Sequence, residues 1–270
     1  MDHVGSDFQQ IIMDRKGGKG EALWITLNNL QMHNALTDTM QLELIEALTF
    51  ASKETSIRCV VLTGAGEKAF CSGGDISLLQ KMNNRDGYDY FYKRGFFVQQ
   101  LLTTMNKPVI AAVHGYCFAG GLELALCCDM VYAAESAKFA LTEVNLGILP
   151  GWGGSVRLPR QIGVNRAKEM IITGERIDAE EAYRIGLINK VFPANQLISE
   201  VDNLVEAILA KPPLAVRAAK TLIHDSLSCS SMDAAATMER GMLMWLINTV
   251  DFQEGTAAFL EKRKGIYKGI

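Results

Sequence analysis

Two glutamates in apolar surroundings are the residues of this chain best suited to chemistry. Between Lys107 and Asp129 the only formal charge is Glu123, and no lysine or arginine lies three or four positions away from it. Glu143 follows twenty residues later, in an apolar stretch that leads into the glycine-rich turn Leu149–Gly154. A buried carboxylate without an ion partner raises its pKa or takes on a polar function. If the two side chains converge, they can form a general acid and base pair.

A glutamate on a solvated helix face is the common alternative to a catalytic group. The neighbours of Glu123 provide no polar face that it could share, so we expect this side chain to be buried. Glu143 is different, because Lys138, Thr142 and Asn145 lie close to it in sequence and could make it a residue at the rim of a domain. The sequence therefore points to Glu123 first and to Glu143 second.

The composition limits the class of protein that surrounds these residues. The chain has 270 residues, 49% of them hydrophobic, which suits one large domain or a large and a small one. A net charge of -3 and a pI of about 5.9 give no electrostatic reason to expect nucleic acid or an anionic membrane surface as a partner. We therefore expect neither nucleic-acid binding nor membrane binding.

The six cysteines form no CxxC pair, and no histidine stands at metal-ligand spacing from them. They lie in apolar runs or beside small residues, so we expect buried free thiols in a reducing compartment and no metal site. They are Cys59, Cys71, Cys117, Cys127, Cys128 and Cys229.

The amino terminus and the longest apolar stretch bear on the location of the protein. Met1–Gln10 is polar and lacks the basic and apolar regions of a secretory signal, which predicts a cytoplasmic protein, or a mitochondrial matrix protein if a transit peptide has been removed. Val109–Cys128 is apolar, but it contains Glu123 and three glycines. A charge near the centre of a bilayer costs roughly 2.5 to 3.5 kcal/mol. We therefore expect a buried strand and helix here and no membrane span.

Hydrophobic patterning predicts alternating strands and helices over most of the chain. Strands are predicted at Ala22–Leu27, Cys59–Leu62, Val109–Val113 and Met130–Ala133. Helices are predicted after Thr37-Asp38, at Ile76–Leu79, at Phe96–Met105, from Gly120, at Arg157–Ile162 and at Ala167–Ile172. The polar and aromatic segment Lys81–Tyr92 is predicted to be a mobile loop. The recurrence of strand, turn and helix indicates repeated parallel crossovers of an α/β fold.

Beyond Val191-Phe192-Pro193 the sequence predicts helices only. They are Leu197–Ala210, Leu214–Leu227, Met232–Ile247 and Phe252–Lys264. We therefore divide the chain into a core of residues 1–195 and a C-terminal helical region of residues 196–270. Met242–Ile247 is strongly apolar, so it either packs inside the protein or forms part of a subunit interface.

Two further motifs would allow other chemistries. Gly64–Ala69 follows a strand and matches the letters of the dinucleotide fingerprint GxGxxA, but Gly73-Gly74 interrupts the helix that should come next, which argues against nicotinamide binding. Ser72 could be a nucleophile, but it lacks a GxSxG context. Its candidate bases are His3, His33, His114 and His224.

The glycines and carboxylates together resemble those of the crotonase (enoyl-CoA hydratase/isomerase) superfamily, over nearly the whole chain. The resemblance rests on five blocks in the family's order, namely Ile25–Leu36, Lys68–Asp75, Ile110–Asp129, Phe139–Arg157 and Phe252–Lys264. It implies an α/β spiral of repeated ββα units with a C-terminal helical trimerisation region. Asn29-Leu30 departs from the family's pattern, since an arginine-proline pair is common at this point.

The resemblance also assigns roles to particular positions. It implies that the amides of Gly74 and Gly120 form an oxyanion hole and that Glu123 and Glu143 are the catalytic carboxylates. It implies an acyl-CoA thioester as substrate, with coenzyme A as part of the substrate and no separate cofactor, and a homo-trimer or a hexamer. Substrate-binding residues are then expected at Lys68, Cys71, Ser72, Gly73, Asp75, Ile76, Gly151, Trp152 and Lys262.

The residue types support this chemistry independently of the family. Glycine lets the backbone approach a substrate closely, so two amides from separate glycine-rich turns can point at one oxygen and stabilise a thioester enolate. The first hypothesis is hydration of a trans-2-enoyl-CoA, in which Glu123 activates the water that adds at the β-carbon and Glu143 delivers the α-proton. The alternatives are isomerisation, decarboxylation or thioester hydrolysis at the same oxyanion hole, and a non-catalytic CoA-binding protein.

Trp152 is the residue of this turn that could affect which acyl group the site accepts. It stands between Gly151 and the pair Gly153-Gly154, where the family often has a small residue. Its indole either packs in the interior or forms a wall of the acyl pocket and selects an unusual or cyclic acyl group.

Overall fold

The computed structural model describes residues 8–270. Two of the predictions above concern the residues before them: most of the amino-terminal segment examined for a secretory signal, and His3, lie outside the described part. The described residues form two β-sheets surrounded by helices.

The larger sheet carries the hydrophobic core on both of its faces. In spatial order its six strands are β1 (Ile11–Lys16), β2 (Ala22–Leu27), β3 (Cys59–Gly64), β5 (Val109–Val113), β7 (Met130–Ala134) and β10 (Lys190–Phe192). β1 and β2 are antiparallel, and all other neighbours are parallel. Every residue of β3 and β5 is buried, as expected for central parallel strands covered on both faces.

The second sheet is built from much shorter strands. In spatial order they are β4 (Ala69–Cys71), β6 (Tyr116–Phe118), β8 (Lys138–Ala140) and β9 (Ile177–Asp178). β4, β6 and β8 come directly after β3, β5 and β7, so the chain visits the larger sheet and then the smaller one three times in succession. This repetition, with helices after each visit, is the predicted α/β spiral of ββα units.

Twelve α-helices connect and cover the strands of the described chain. They are α1 (Asp38–Lys53), α2 (Ile76–Leu79), α3 (Asn84–Gly87), α4 (Phe96–Thr104), α5 (Gly120–Ala125), α6 (Gly154–Ile162), α7 (Val164–Thr173), α8 (Ala179–Arg184), α9 (Leu197–Leu209), α10 (Pro213–Ser226), α11 (Met232–Leu246) and α12 (Val250–Leu260). The cap predicted at Thr37 is present, since its hydroxyl accepts the amide of Met40 at 3.1 Å. Single 3-10 turns cover Leu30–Met32 and Glu143–Leu146.

The prediction of a mobile loop at Lys81–Tyr92 was wrong, because most of this segment is helical. Asn83 and Asp86 form a capping box at the start of α3. A π-helix, Tyr88–Gly95, follows and continues directly into α4. Tyr90, within this π-helix, is buried in the core. This tertiary packing orders residues whose polar composition suggested a loop.

The four C-terminal helices confirm the sequence prediction, although α12 ends at Leu260 and not near Lys264. The first of them, α9, packs on the larger sheet and closes its second core. The next three bury almost nothing: only Ala218, Asp251 and Ala258 are buried within α10–α12. A division of the chain at residue 195 stays a prediction.

Within residues 8–270, none of the helices combines the length and apolarity that a membrane crossing would require. The apolar stretch Val109–Cys128 contains the predicted strand, β5, and the predicted helix, α5, with the unpredicted short strand β6 between them.

Candidate active site

Glu123 is placed by a strained turn between β6 and α5. Ala119, the residue before the helix, has φ 49° and ψ -125°, a conformation that residues with a Cβ seldom adopt. Its amide donates to the carbonyl of Ala140 in β8 at 2.8 Å, so the smaller sheet holds the turn in place. Beyond the turn, Gly120 and Glu123 both line one cavity.

The carboxyl group of Glu123 is buried and held through one oxygen. Its Oε1 accepts the amides of Trp152 at 2.7 Å and Gly154 at 2.8 Å, at the turn that opens α6. Burial and then the nearby Glu143 raise the pKa of Glu123 to about 8, although the two amide donors favour its ionised form. No residue of the described chain donates to Oε2, which leaves that oxygen available to a ligand.

Glu143 differs, because no other residue of the described chain donates a hydrogen bond to its carboxyl group. It opens the 3-10 turn after β8, its residue is 7% exposed, and neither carboxyl oxygen meets a donor among residues 8–270. Burial raises its pKa to about 7. A buried carboxyl group with both oxygens unpaired is costly in a folded protein, so this arrangement is typical of a functional group.

The two carboxyl groups share one cavity. Its volume is about 80 Å³, and among residues 8–270 Glu123 and Glu143 are its only acidic lining residues. The rest of the wall is largely apolar and aromatic, which excludes competing ion partners from the site. Two like charges in a low-dielectric cavity oppose double ionisation. With both pKa values raised into the neutral range, the pair can hold one proton, which is the state that an acid and a base acting together require.

The two glycine-rich segments meet at the edge of this cavity. A Cβ placed on Gly73 would lie 3.3 Å from the amide nitrogen of Gly120, and one placed on Gly120 would lie 3.8 Å from the amide nitrogen of Gly74. Neither the Gly74 amide nor the Gly120 amide donates a hydrogen bond to any described residue. Both glycines line the cavity. Two free amides side by side are the arrangement that stabilises a developing oxyanion.

Trp152 packs in the interior and also lines the cavity, whereas its selection of an acyl group stays a prediction. Its side chain is almost fully buried, and it also lines the cavity. Its indole ring lies against Gly95 of the π-helix so closely that a Cβ at that position would overlap it. Its own amide is one of the two donors to Glu123. Trp152 therefore links the wall of the cavity to the carboxylate.

The other predicted substrate-binding residues divide into two groups. Ser72, Ile76 and Gly151 line the cavity together with Gly74 and Trp152. The remaining predicted residues do not line it, and they are Lys68, Cys71, Gly73, Asp75 and Lys262. Cys71 is fully buried, and the Asp75 carboxylate caps α2 by accepting the amides of Ser77 and Leu78. Their roles toward coenzyme A stay predictions.

Sequence reasoning missed several residues of the wall. Tyr90 and Phe91 line the cavity from the π-helix, and Leu36 lines it from the segment before α1. The sequence predicted a mobile loop at Lys81–Tyr92, so the ordered conformation that places Tyr90 and Phe91 in the wall was not foreseen. The sequence around Leu36 gives no indication that this residue lines the cavity, because only the pairing of distant segments brings it there.

The alternative motifs have ordinary structural roles. Gly64–Ala69 is followed by strand β4 and not by a helix, which is incompatible with a dinucleotide-binding turn. The hydroxyl of Ser72 donates to the carbonyl of Met32 at 3.0 Å.

All six cysteines are free thiols. In the described part of the chain, no three His, Cys, Asp or Glu side chains cluster as metal ligands would.

Comparison with known proteins identifies the family and agrees with the fold. Residues 18–269 match the family Enoyl-CoA hydratase/isomerase. The chain therefore belongs to this family, which is the crotonase superfamily named from the sequence. It is 39% identical over 257 residues to a crotonyl-CoA hydratase of Syntrophomonas wolfei, covering 95% of this chain and 97% of that protein. It is also 37% identical over 247 residues to the 2,3-dehydroadipyl-CoA hydratase of Escherichia coli K12, with 92% and 95% covered.

A solved structure has the same fold. The crystal structure of an enoyl-CoA hydratase from Bacillus anthracis superposes with a TM-score of 0.93 at 40% sequence identity, covering 97% of this chain and 100% of that one. The relatives named above act, by their names, on different acyl groups. Similarity therefore identifies the family without selecting the acyl chain.

Proposed function

We propose that the chain is an enoyl-CoA hydratase, which adds water across the 2,3 double bond of an enoyl-CoA thioester to give a 3-hydroxyacyl-CoA. The observation that carries the proposal is the pair of raised-pKa carboxyl groups in one apolar cavity, beside two unpaired backbone amides. Hydratases of the same family align over nearly the whole chain, which supports the same reaction.

In this mechanism the two glutamates have different tasks. Glu123, oriented through Oε1 by two amides, accepts a proton from water at Oε2 as that water attacks the β-carbon. Glu143 gives its proton to the α-carbon. The two amide donors favour the ionised form of Glu123, so we assign the shared proton to Glu143, although burial raises the pKa of Glu123 slightly higher than that of Glu143. The substrate gains a hydroxyl from water and a proton from Glu143, while Glu123 keeps the water proton. Transfer of one proton from Glu123 to Glu143 then restores the starting state of the pair. Activity should fall at acidic pH, where both groups are protonated, and at alkaline pH, where both are ionised.

Gly74 and Gly120 serve the thioester carbonyl. Attack at the β-carbon moves charge onto the thioester oxygen, and two amides fixed in place beforehand stabilise that charge in the transition state. Gly120 is the first residue of α5, so the partial positive charge at the start of a helix adds to this field. Removal of one such donor costs roughly 2.7 to 4 kcal/mol in other enzymes, which makes this a major source of the expected rate enhancement.

Variants of the two glutamates test the proposal. Glu123→Gln keeps an oxygen that can accept both amides but removes the base, and Glu143→Gln removes the proton donor. Each should lower kcat on crotonyl-CoA by at least about a hundredfold. Glu180→Gln, at an exposed glutamate of α8, is the matched control and should keep full activity. If either buried variant hydrates crotonyl-CoA at the wild-type rate, the assignment fails.

The other reactions of the superfamily remain the competing function. They would use the same oxyanion hole, and the second carboxyl group is the observation that favours hydration over them. Product analysis in deuterated water separates them, since hydration places one deuterium on the α-carbon and a hydroxyl on the β-carbon. A panel of linear and cyclic enoyl-CoAs in the same assay would give the acyl preference set by Trp152 and its neighbours.

We also propose that the chain forms trimers, or hexamers made of two trimers, through its C-terminal helices. An apolar groove of about 600 Å³ runs between α10, α11 and α12. Phe259 and Leu260 are 84% and 80% exposed beside it, which a solvated helix end would not favour. Phe259→Ser combined with Leu260→Ser should lower the mass measured by sedimentation equilibrium. Ile172→Ser, at an exposed isoleucine of α7, should leave it unchanged, and a monomeric wild-type protein would refute the proposal.

A reducing compartment, most simply the cytoplasm, is proposed on the basis of the cysteines. All six are free thiols, and burial raises the pKa values of Cys59, Cys71 and Cys127 to about 12. Such thiols are protonated and unreactive. Fractionation of cells that express the protein from its own gene would test the location.

A further inference from the structure

Tyr90 is an interior tyrosine of the π-helix whose hydroxyl reaches out of its own helix. The side chain is 2% exposed, and its Oη donates to the carbonyl of Leu36 at 2.5 Å. Leu36 lies in the segment before α1, more than fifty residues earlier in the chain. Burial raises the pKa of Tyr90 far above neutrality, so the hydroxyl keeps its proton and remains a donor.

Leu36 is the residue that joins the two oxyanion segments. Its amide donates to the carbonyl of Gly73 at 2.8 Å, and it pairs with Gly74 in a parallel bridge. Its side chain packs on the other segment, because a Cβ added to Gly120 would lie 2.9 Å from Leu36 Cδ1. A shift of Leu36 would therefore displace the Gly74 amide relative to the Gly120 amide.

Three side chains lie against or near the tyrosine ring and restrict the direction of its hydroxyl. Phe91 contacts it edge to face at 4.8 Å between ring centroids, and Trp152 lies 6.2 Å away. Arg94 lies over the ring at 5.9 Å and forms an ion pair with Asp38 of α1 at 2.6 Å. This ion pair ties the π-helix to the helix that follows Leu36.

Gly74 leaves the room that this contact needs. A Cβ at Gly74 would lie 3.1 Å from Tyr90 Oη, closer than most side chains tolerate. The hydroxyl therefore passes beside the oxyanion glycine on its way to Leu36. The side-chain amide of Gln41, fully buried in α1, lies near the Tyr90 hydroxyl and acts to lower the pKa of Tyr90, while the Leu36 carbonyl at 2.5 Å accepts the hydroxyl proton.

From this geometry we propose that Tyr90 is a positioning residue for the oxyanion hole: its hydroxyl fixes the Leu36 carbonyl, and Leu36 in turn sets the separation of the Gly74 and Gly120 amides. The inference rests on the proposed function for its reaction, but it concerns a residue that need not touch the substrate. Its consequence is that the π-helix is part of the catalytic framework and not only a cover over the acyl group.

Tyr90→Phe tests the proposal with the smallest change, since the ring and its packing remain. The thioester oxygen is bound more tightly in the transition state than in the ground state, so kcat on crotonyl-CoA should fall about five- to tenfold while KM changes less than about twofold. Tyr132→Phe is the control, because Tyr132 is a buried tyrosine in the core on the other face of the larger sheet. It should leave both constants unchanged.

A binding measurement separates this proposal from the function on which it rests. Butyryl-CoA is saturated and cannot be hydrated, and an oxyanion hole lowers the infrared stretching frequency of its thioester carbonyl. We expect a clear shift on binding to the wild type, a smaller shift in Tyr90→Phe, and the full shift in Tyr132→Phe. A full shift and unchanged kcat in Tyr90→Phe would overturn the role of Tyr90. A normal carbonyl shift without hydration of any enoyl-CoA would instead refute the proposed function and leave the role of Tyr90 intact.

Discussion

The core around the cavity and the three C-terminal helices α10–α12 differ in which side chains they bury. Around the cavity even carboxyl groups are buried, and Glu123 is 2% exposed. In the C-terminal helices even large apolar groups are exposed: α11 buries no residue, and Trp245 is 50% exposed. The contrast lies in the packing, because both regions are rich in hydrophobic residues.

The difference shows which region is complete within one chain. The core specifies its own contacts closely enough to keep two acids away from water, which costs free energy and is therefore a sign of function. The C-terminal helices are amphipathic or apolar but face solvent with their apolar side, which is the pattern of a surface that a partner covers. With the proposed assembly through α10–α12, chemistry and subunit contacts are separated along the chain, and substitutions in the two regions should have opposite consequences.

A methyl group added in the core should have the largest effect. Gly121 follows the oxyanion glycine, and a Cβ at this position would overlap the carbonyl of Cys71 in β4. Backbone cannot move aside as a flexible side chain can, so Gly121→Ala should lower the free energy of unfolding by roughly 3 kcal/mol. Urea denaturation followed by circular dichroism measures this. If the free energy of unfolding does not change, the core around Gly121 is not tightly packed, and the two regions do not differ in packing as stated above.

Titration of Glu143 should give the next largest effect. Folding raises its pKa from 4.5 to about 7, so between these pH values the native state binds more protons than the unfolded chain. Stability therefore falls as the pH rises through this interval. Gln cannot titrate, so the stability of Glu143→Gln relative to wild type should increase by on the order of 2 kcal/mol from about pH 5 to pH 8.

The control for this effect is an acid outside the cavity. Urea denaturation of Glu180→Gln at the same pH values should show no such trend, because Glu180 is exposed in the described structure. A relative stability of Glu143→Gln that is constant with pH would mean that Glu143 titrates in the folded protein as it does in water. Glu143 would then be as solvated as the C-terminal surface, and the core would not keep its carboxyl group away from water.

The sequence predicted the functional residues better than the connections between them. Glu123 could be found because no polar residue surrounds it in sequence, and burial of a charge follows directly from that pattern. The strands β2, β3, β5 and β7 could be predicted because each is a run of apolar residues. The strands of the smaller sheet were not predicted, because three residues are too few to show a period of two.

The positions that sequence could not supply depend on tertiary contacts. β1 was missed although it pairs with β2 along six residues, since its alternation of burial is set by its partner. The strain at Ala119 is invisible in a residue type that usually avoids such angles. The π-helix was taken for a loop because its order comes from Tyr90 and Gly95 packing against distant segments.

The smallest predicted effect has the opposite sign and comes from the C-terminal helices. Gly241 lies inside α11, and a Cβ added there would meet nothing within 4 Å in the described chain. Gly241→Ala should therefore raise the free energy of unfolding by about 0.5 to 1 kcal/mol, through helix propensity alone. The measurement is urea denaturation of this variant beside Gly121→Ala. If Gly241→Ala instead destabilises the protein and lowers its mass in sedimentation, a neighbouring subunit occupies the open space, and the C-terminal surface is as tightly packed in the assembly as the core is in the single chain.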